Sequence, residues 1–319
     1  MEQTKNWLLS SSPLAEYHTR LDILHLAETD QSVVAARKAM LENPMIKDLI
    51  IELTNWPGTI LVSHKSAGHA LHKLVFLADI GLKFNDPGMD ELTNRVMEHQ
   101  DPDGPFQIMT NIPTHFGGTG EDVWAWALCD APSILYALVK FGLGDDPRVK
   151  NGIGYLMQLV RENGWPCACS TQQGTFRGPG RKSDPCPYAN LIMVKLLAAT
   201  PDFFNSEACH QGAESLLHCW AERLTYHPYI FYMGNDFSKL KAPLVWFDII
   251  HVSYVLSQLS WLKDDPRLAE MKAIIAQKAD ANGRFTPESI WTAWKQWDFG
   301  QKKVPSPYLT YLATKILTE

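Results

Sequence analysis

The feature that most constrains this fold is a short Asp/Pro phrase that recurs at nearly even intervals along the chain. It contains Pro87, Pro147, Pro201 and Pro266, which are 60, 54 and 65 residues apart. Each proline follows an apolar stretch and precedes a more polar one. Proline is favoured in the first turn of a helix, because its missing N–H leaves no hydrogen bond unmade there. The spacing therefore predicts a repeated helical unit.

Glycines lie at a fixed distance from three of these prolines. Gly104, Gly164 and Gly283 each follow the proline of their repeat by 17 residues, and an aromatic residue comes within two positions. A glycine after about four helical turns is typical of the residue that ends a helix. We therefore predict a repeat made of an apolar inner helix, an Asp/Pro turn, an amphipathic outer helix and a Gly-aromatic loop.

Helices are also predicted outside these repeats, at both ends of the chain. We expect leading helices at roughly 14–28 and 30–54 and a final helix at roughly 305–318. Alternating β-branched runs bounded by tight turns, which would predict strands, are nearly absent. The total is about a dozen helices, and the fold class is therefore all-α.

Successive inner–outer helix pairs can close into an α/α toroid, here of about six inner and six outer helices. The inner helices at 131–143 and 188–199 are strongly apolar and need cover on all sides, which favours closure. An open solenoid of the same pairs is the alternative. We predict a single α/α-toroid domain over 1–319, with leading helices in 1–55 and recognisable helix pairs in 60–319.

Charge and composition exclude several classes of function. The formal net charge is -6 and no segment concentrates Lys and Arg, so we expect no nucleic-acid partner. The first residues lack the basic and apolar regions of a signal peptide, and no run reaches the roughly 18 apolar residues of a transmembrane segment. We predict a soluble, cytoplasmic protein. In that setting the six cysteines are not expected to form a disulfide framework.

Overlaying the repeats points to a metal site. Cys186 and His251 are 65 residues apart, as are Pro201 and Pro266. The overlay places both side chains at one position, at the start of consecutive inner helices. Such helices are neighbours in a toroid, so the two side chains should converge. Asp184 lies two residues before Cys186 and would join them.

The segment around Cys186 also has the composition of a helix start. Asp184 is a preferred N-cap residue, and Pro185 after it suits the first helical position. The helix N-terminus favours the thiolate of a nearby cysteine. Carboxylate, thiolate and imidazole form a zinc ligand set, and three protein ligands leave one position open for chemistry. The alternative is an N-capping Asp184, a buried Cys186 and a core His251.

Two short segments of the sequence resemble segments of a known protein family. Residues 184–188, Asp-Pro-Cys-Pro-Tyr, look like the Asp-x-Cys-Tyr helix start in the β subunit of protein prenyltransferases. Residues 248–260 resemble the segment that carries that family's zinc-binding histidine. The wider repeat resembles the prenyltransferase and squalene-cyclase toroids over roughly residues 60 to 319.

The resemblance implies a Zn²⁺ cofactor held by Asp184, Cys186 and His251, and an isoprenoid-sized apolar pocket in the barrel. In that family zinc activates a thiolate acceptor, while basic residues hold the diphosphate of the prenyl donor. The β subunits work with a separate helical subunit, so a protein partner is also implied. Cys167, in the loop before the site, is a candidate fourth ligand that would close the coordination sphere and make the zinc structural.

A basic, glycine-rich segment before Asp184 supplies candidates for binding the diphosphate. Arg177, Arg181 and Lys182 lie in it, and a guanidinium binds phosphate oxygens bidentately. We assign these three residues and Tyr188 to substrate binding. The alternative is a solvated basic loop.

The sequence thus predicts a zinc-containing, prenyltransferase-like protein that binds an isoprenoid or other apolar small molecule and transfers it to a thiol or similar nucleophile. No catalytic residue is assigned. The alternative is a non-catalytic binding or scaffold toroid with a structural zinc. A terpene cyclase ranks lower because no Asp-x-Asp-Asp motif occurs, and a lanthionine-cyclase-like enzyme ranks lower because its Cys-His pair is missing.

Overall fold

The computed structural model describes residues 2–319, and this part of the chain contains thirteen α-helices and one small sheet. The predicted all-α class is confirmed. The helices are α1 (Glu2–Leu9), α2 (Pro13–His18), α3 (Gln31–Leu41), α4 (Pro44–Leu53), α5 (Ala70–Asp79), α6 (Met89–Val96), α7 (Ala131–Leu138), α8 (Pro147–Gln158), α9 (Pro187–Ala198), α10 (Glu207–Ala221), α11 (Ile249–Ser257), α12 (Pro266–Ala276) and α13 (Pro307–Thr318).

Two helices continue as π-helical turns, α2 through Thr19–Ile23 and α7 through Val139–Leu143. The sheet pairs β1 (Ile108–Thr110) with β2 (Val123–Ala125) in antiparallel orientation. The sequence patterns did not predict these strands, because three residues are too short to show an alternation. No helix in residues 2–319 is long and apolar enough to cross a membrane.

The chain divides into two compact units. The first comprises the chain up to Leu49 together with Gly234–Glu319, and the second is Ile50–Met233. In the second unit α5 packs on α7 and α7 packs on α9, while α8 covers α7 and α10 covers α9. Eleven of the twelve residues of α9 are buried, against four of twelve in α8, so α9 is an inner helix and α8 an outer one.

The first unit repeats this arrangement with different helices. There α11 packs on α13, and α13 packs on α2. Helix α12 lies against both α11 and α13, and all nine residues of α11 are buried, whereas three residues of α12 are. Each unit thus shows the alternation of apolar inner and amphipathic outer helices that defines the α/α-toroid class.

A buried asparagine fixes the loop that leads to the start of α9. The Asn190 side chain donates hydrogen bonds to the carbonyls of Trp165 (3.0 Å) and Cys186 (2.8 Å), and its Oδ1 accepts the Trp165 N–H at 2.9 Å. Gly164 has φ +101°, and a Cβ there would lie 2.3 Å from Asn190 Oδ1. A side chain at this position would therefore break the contact that holds Trp165 in place.

The proline prediction holds at two of the four positions. Pro147 and Pro266 are the first residues of α8 and α12. Pro87 comes before α6, which begins at Met89, and Pro201 lies in a turn before α10. The predicted helix over 30–54 is two helices, since Pro44 begins a new one after Asn43.

The predicted role of the glycines as helix caps is wrong. Gly104, Gly164 and Gly283 do adopt positive φ, but the preceding helices end several residues earlier. They close tight turns instead, in which the glycine N–H donates to the carbonyl three residues before it, as Gly104 does to Asp101 at 2.8 Å. Glycine is needed because the turn requires a left-handed residue.

Candidate functional site

Polar residues stand immediately before the inner helices of the second unit. His69, Asp130 and Cys186 are the N-cap residues of α5, α7 and α9. The His69 side chain accepts the N–H of Leu71 at 3.1 Å, a role that serine or aspartate more often fills. Side chains with acid–base and nucleophilic chemistry therefore occupy positions where backbone N–H groups are free to bind them.

Cys186 is held rigidly at the start of α9. Its N–H donates to the Trp165 carbonyl at 2.8 Å, and the residue is 4% exposed. A hydrogen bond from the Cys129 thiol lowers the pKa of Cys186, burial opposes this, and the N–H groups of Ala189 and Tyr188 lower it further. Cys186 is thus a thiol whose surroundings favour the thiolate, as the helix-terminus argument predicted.

Two further cysteines complete what we call the thiol cluster, namely Cys129, Cys167 and Cys186. Donation to Cys186, together with burial, raises the pKa of Cys129. Cys167 accepts the Gly178 N–H at its Sγ at 3.2 Å, and burial raises its pKa to about 11. The cluster therefore consists of one thiolate-favouring cysteine and two that stay protonated near neutral pH.

A histidine–aspartate contact lies next to the thiol cluster. Asp130 Oδ2 is 3.0 Å from His64 Nε2, and its Oδ1 accepts the Ala127 N–H at 2.9 Å. His72, on α5, is 2.9 Å from the His64 carbonyl through its Nε2. Burial lowers the pKa of His72 to about 3, so this imidazole is neutral. Of His64, His69 and His72, only His72 lies within α5, and His69 is its N-cap.

The predicted helix start needs correction. Asp184 is not the N-cap of α9, since Cys186 occupies that position and Pro187 follows as the first helical residue. Asp184 is half-buried in the preceding turn, where its Oδ2 accepts the Arg181 N–H at 3.3 Å. The overlay of Cys186 on His251 is also shifted, because His251 is the third residue of α11 and Asp248 is its N-cap.

The predicted anion-binding residues lie in what we call the basic loop, residues 177–182. Arg177, Arg181 and Lys182 are all exposed, whereas Tyr188 is 2% exposed within α9. Arg177 Nη1 donates to the Gly180 carbonyl at 2.7 Å, which shapes the loop. Two guanidinium groups and one ammonium group therefore face solvent from one short segment.

Tyr229 anchors the basic loop. Its hydroxyl donates to the Arg181 carbonyl at 3.2 Å, and a Cβ at Gly180 would lie 2.6 Å from its ring. Tyr229 and Ile230 both have positive φ, 52° and 57°, and a left-handed backbone at a residue with a side chain costs on the order of 1 kcal/mol. The tyrosine ring thus fits against a loop that only glycine can form at this point.

In the first unit, His251 and Asp248 stand at the start of α11. His251 Nδ1 is 2.9 Å from the Trp246 carbonyl, and since a carbonyl only accepts, this nitrogen carries the proton. Asp248 Oδ1 accepts the His251 N–H at 3.0 Å. Burial raises the pKa of Asp248 to about 7, although Lys241 lowers it, so Asp248 is a carboxyl poised near neutral pH.

The predicted zinc ligands fit a metal in part. A proton on His251 Nδ1 and a thiolate at Cys186 are compatible with zinc binding. However, no group of three or more His, Cys, Asp or Glu side chains in residues 2–319 is arranged to hold a metal ion. The ligand set of Asp184, Cys186, His251 and Cys167 therefore stays a prediction, and we derive no chemical step from a metal.

Sequence reasoning missed Cys129 and Asp248. Both stand at the start of an inner helix, Cys129 directly before the N-cap of α7 and Asp248 as the N-cap of α11. The signal that could have found them was the position itself, because the overlay marked the starts of these helices as the site.

Comparisons with known proteins give structural likenesses only. No family model and no curated protein matches the chain. A protein from Actinoplanes is 14% identical with a TM-score of 0.42, over 95% of this chain and 87% of that one. Type II terpene cyclase MstE from Scytonema is 14% identical with a TM-score of 0.43, over 96% and 86%. A family 105 glycoside hydrolase from C. acetobutylicum is 11% identical with a TM-score of 0.41, over 98% and 96%. Likenesses this distant assign no activity to this chain.

Proposed function

We propose that this chain is a prenyltransferase-like toroid protein that binds an isoprenoid or similar apolar ligand carrying a diphosphate. The observation that supports this is the junction of the basic loop with the start of α9. Within ten residues it presents Arg177, Arg181 and Lys182 to solvent and then places Cys186 where the thiolate is favoured. Cations beside a thiolate that can bind zinc suit a ligand with an anionic leaving group.

Zinc is part of the proposal. Asp184, Cys186 and His251 would hold it, with Cys167 as a fourth ligand in the closed form. A bound zinc would lower the pKa of a thiol acceptor and so generate the nucleophile near neutral pH. The residues of this chain would orient the acceptor, neutralise the diphosphate and keep water from the reacting atoms.

The scaffold alternative has its own support. Cys167 accepts a hydrogen bond from Gly178, and Tyr229 fixes the basic loop from the other side. A loop tied down at two points suits a structural role. In this alternative Cys167 completes a closed zinc sphere, no ligand exchanges at the metal, and the protein binds without catalysing transfer.

Metal analysis is the first test of the zinc component. We would measure zinc per chain by plasma mass spectrometry in wild type and in Cys186→Ala, His251→Ala, Asp184→Ala and Cys167→Ala proteins. About one zinc that is lost with Cys186 or His251 supports the site, and additional loss with Cys167 supports the scaffold form. Cys209→Ala, a change of a buried cysteine in α10, is the matched control. Metal-free protein after zinc is added back contradicts the zinc assignment.

Ligand binding tests the function itself. We would titrate geranylgeranyl diphosphate and geranylgeraniol by calorimetry into wild type and into Arg177→Ala/Arg181→Ala protein. Because charge-assisted hydrogen bonds are lost, the affinity for the diphosphate should fall at least about tenfold, whereas the affinity for the alcohol should not change. Lys302→Ala/Lys303→Ala, which removes two exposed lysines of the first unit, is the control. Absence of binding for both compounds, or equal weakening by both double variants, contradicts the proposal.

A further inference from the structure

We propose that residues 223–232, which we call the apolar segment, form with the basic loop one surface that binds an anionic lipid membrane. Apolar side chains of the segment enter the headgroup region, while the cations of the basic loop bind lipid phosphates. Both parts of this surface belong to the second unit. The inference does not depend on zinc or on the proposed isoprenoid ligand.

Three large apolar side chains of the apolar segment face solvent. Leu224 is 87% exposed, Ile230 is 65% exposed and Tyr232 is 63% exposed. Single exposed apolar residues are common on protein surfaces, whereas several that lie together indicate a binding surface. These three fall within nine residues of the chain.

Contacts within the apolar segment bring its exposed side chains together. The His227 ring packs on the Tyr232 ring with the two centres 4.4 Å apart, and His227 Nε2 donates to the Arg223 carbonyl at 2.9 Å. Tyr232 is thus joined through His227 to the peptide group that precedes Leu224. Ile230 lies two residues before Tyr232 in the same turn of chain.

Tyr229 joins the apolar segment to the basic loop. Its hydroxyl donates to the Arg181 carbonyl at 3.2 Å, and a Cβ at Gly178 would lie only 2.9 Å from its ring. The ring of Tyr229 therefore packs directly on the loop. The exposed side chains of Arg177, Arg181 and Lys182 consequently lie beside the exposed apolar side chains and form one surface with them.

The backbone at Ile230 is unusual for an exposed isoleucine. Its φ is 57°, and a β-branched residue with a positive φ is a genuine outlier. Burial does not compensate for this strain, because most of the side chain is exposed. A strained residue that adds little to the core indicates that its side chain serves a contact outside the chain.

The charge of this surface favours an anionic membrane over a second copy of the chain. The basic loop carries three cations, although the whole chain has a net charge of -6. Two carboxylates flank the surface, Glu222 directly before the apolar segment and Asp184 two residues after the basic loop, so the cations outnumber them. A twofold contact between copies would place the basic loop against itself and cause like-charge repulsion. Anionic lipids attract the same cations.

The size of the surface also fits a membrane. The basic loop and the apolar segment together comprise sixteen residues. A stable protein–protein interface takes about 20–30 residues on each side. Membrane binding needs fewer, because a few apolar side chains insert while neighbouring cations bind the lipid phosphates.

Sedimentation with lipid vesicles tests this surface. We would use full-length protein with vesicles of phosphatidylcholine alone and of equal parts phosphatidylcholine and phosphatidylglycerol. We expect binding to the anionic vesicles that weakens as NaCl is added, because salt screens the charges. Ile230→Asn/Tyr232→Ser should bind them at least about tenfold more weakly, since two inserted side chains are lost. Val34→Ser/Ile51→Ser, which changes two exposed apolar residues of α3 and α4, is the matched control and should bind like wild type.

Asparagine suits a positive φ, so the double variant should keep its fold, which circular dichroism checks. Should it unfold, Leu224→Ser provides the same comparison, since this side chain is almost fully exposed. Absence of binding to anionic vesicles, equal binding to both kinds of vesicle, or equal binding by the double variant and the control would overturn the inference.

A second copy of the chain is the remaining occupant to test. If analytical ultracentrifugation shows a wild-type dimer that becomes a monomer in Ile230→Asn/Tyr232→Ser, the surface is a dimer interface and the inference is wrong. Calorimetry without vesicles separates this inference from the proposed function. Geranylgeranyl diphosphate should bind wild type and Ile230→Asn/Tyr232→Ser equally, so either proposal can fail while the other holds.

Discussion

The two units each bury a cluster of one aspartate, one lysine and one tyrosine, and the two clusters differ in how tightly they are closed. In the second unit, Lys195 Nζ is 2.8 Å from Asp79 Oδ1, and the Tyr136 hydroxyl donates to the same oxygen at 2.7 Å. Asp79 and Lys195 are each 3% exposed. We call this the closed cluster, since its charges have almost no contact with water.

In the first unit, the equivalent set is more accessible and larger. Lys315 Nζ is 3.0 Å from Asp22 Oδ1, and Tyr311 donates to Asp22 Oδ2 at 2.6 Å. His18 Nδ1 is also 3.0 Å from Asp22 Oδ2. Lys315 is 14% exposed and Asp22 is 19% exposed. We call this the open cluster.

Both lysines occupy one position of the helical repeat. Lys195 lies nine residues after Cys186, the N-cap of α9, and Lys315 lies nine residues after Ser306, the N-cap of α13. Each ammonium also sits over a tyrosine ring of the preceding inner helix, Lys195 at 4.5 Å from the ring centre and Lys315 at 5.7 Å. The lysine therefore occupies the same position of the repeat in both units, but its surroundings differ.

The difference teaches that the degree of burial decides which effect on the lysine pKa prevails, the loss of hydration or the attraction of the partner. Burial lowers the pKa of Lys195, and the attraction of Asp79 does not make up for it. Burial lowers the pKa of Lys315 as well, but interactions with Tyr254 and Asp22 outweigh it and the net shift is upward. The closed cluster thus depends on its counter-charge far more than the open one.

The largest effect should come from Asp79→Asn. It leaves the buried ammonium of Lys195 without a counter-charge, and removing one partner of a buried pair costs about 3–5 kcal/mol in the free energy of unfolding. Urea denaturation measures this loss. Asp202→Asn, in an exposed turn of the same unit, should change stability by less than about 0.5 kcal/mol. A loss below about 1 kcal/mol for Asp79→Asn would show that the closed cluster is hydrated.

Asp22→Asn should lower the free energy of unfolding by about 2 kcal/mol. This lies between the values for exposed and for buried ion pairs. Burial would raise the pKa of Asp22, but the hydrogen bond and charge of His18 and the charge of Lys315 prevail and lower it. A carboxyl with a lowered folded pKa stabilises the fold above its unfolded value of about 3.9, and the stabilisation is lost as pH falls through the folded pKa.

Acid denaturation checks that sign. Wild-type stability should fall as pH drops below about 5, and the slope should be smaller in Asp22→Asn, which has no carboxyl to protonate. Urea midpoints measured between pH 7 and pH 3 report the slope. Equal slopes in the two proteins would mean that Asp22 keeps an ordinary pKa and that the open cluster contributes little.

The sequence predicts the helical repeat but not its register. The prolines locate α8 and α12, and apolar runs locate α7 and α9, because both signals are local. The overlay aligned Cys186, the N-cap of α9, with His251, the third residue of α11, because it assumed equal distances from helix start to proline. The connection from α11 to α12 is longer than that from α9 to Pro201, and a turn of 3-10 helix over Ser260–Leu262 lies in it. The three extra residues lengthen the interval from Pro201 to Pro266, but the interval alone does not show where in the repeat they lie.

The clusters could not be predicted from the sequence, because their members are far apart in the chain. Lys195 and Asp79 are 116 residues apart, and Lys315 and Asp22 are 293 apart. A lysine in an apolar helix indicates that a partner exists but does not say which carboxylate it is. The helix start predicts the part of the lowered Cys186 pKa that comes from the N–H groups of Tyr188 and Ala189, whereas the part that comes from Cys129 depends on how two loops pack.

The tyrosines offer a smaller and sharper comparison. Tyr136→Phe should lower the free energy of unfolding by about 1.5 kcal/mol, because Asp79 loses a hydrogen bond that water cannot replace. Tyr311→Phe should cost about 1 kcal/mol, since His18 still donates to Asp22. Tyr155→Phe removes a 3.2 Å bond to exposed Asp103 and serves as the control. The reverse order for Tyr136 and Tyr311 would mean that exposure does not set the value of these bonds.

The smallest expected effect is a difference between the pKa values of Lys195 and Lys315 rather than a loss of stability. It tests the comparison of the closed and open clusters most directly. NMR of the side-chain nitrogens of ¹⁵N-lysine, assigned with Lys195→Met and Lys315→Met, should place Lys195 below and Lys315 above the ordinary lysine pKa of about 10.4. The stabilisation by Lys315 is then fully present below its unfolded pKa and is lost as pH rises through its folded pKa. For Lys195 the sign is opposite, because deprotonation at higher pH removes the cost of burying a charge. Asp22→Asn should move the Lys315 midpoint down. If both lysines titrate together, burial does not separate the two clusters, and the structural distinction between closed and open fails.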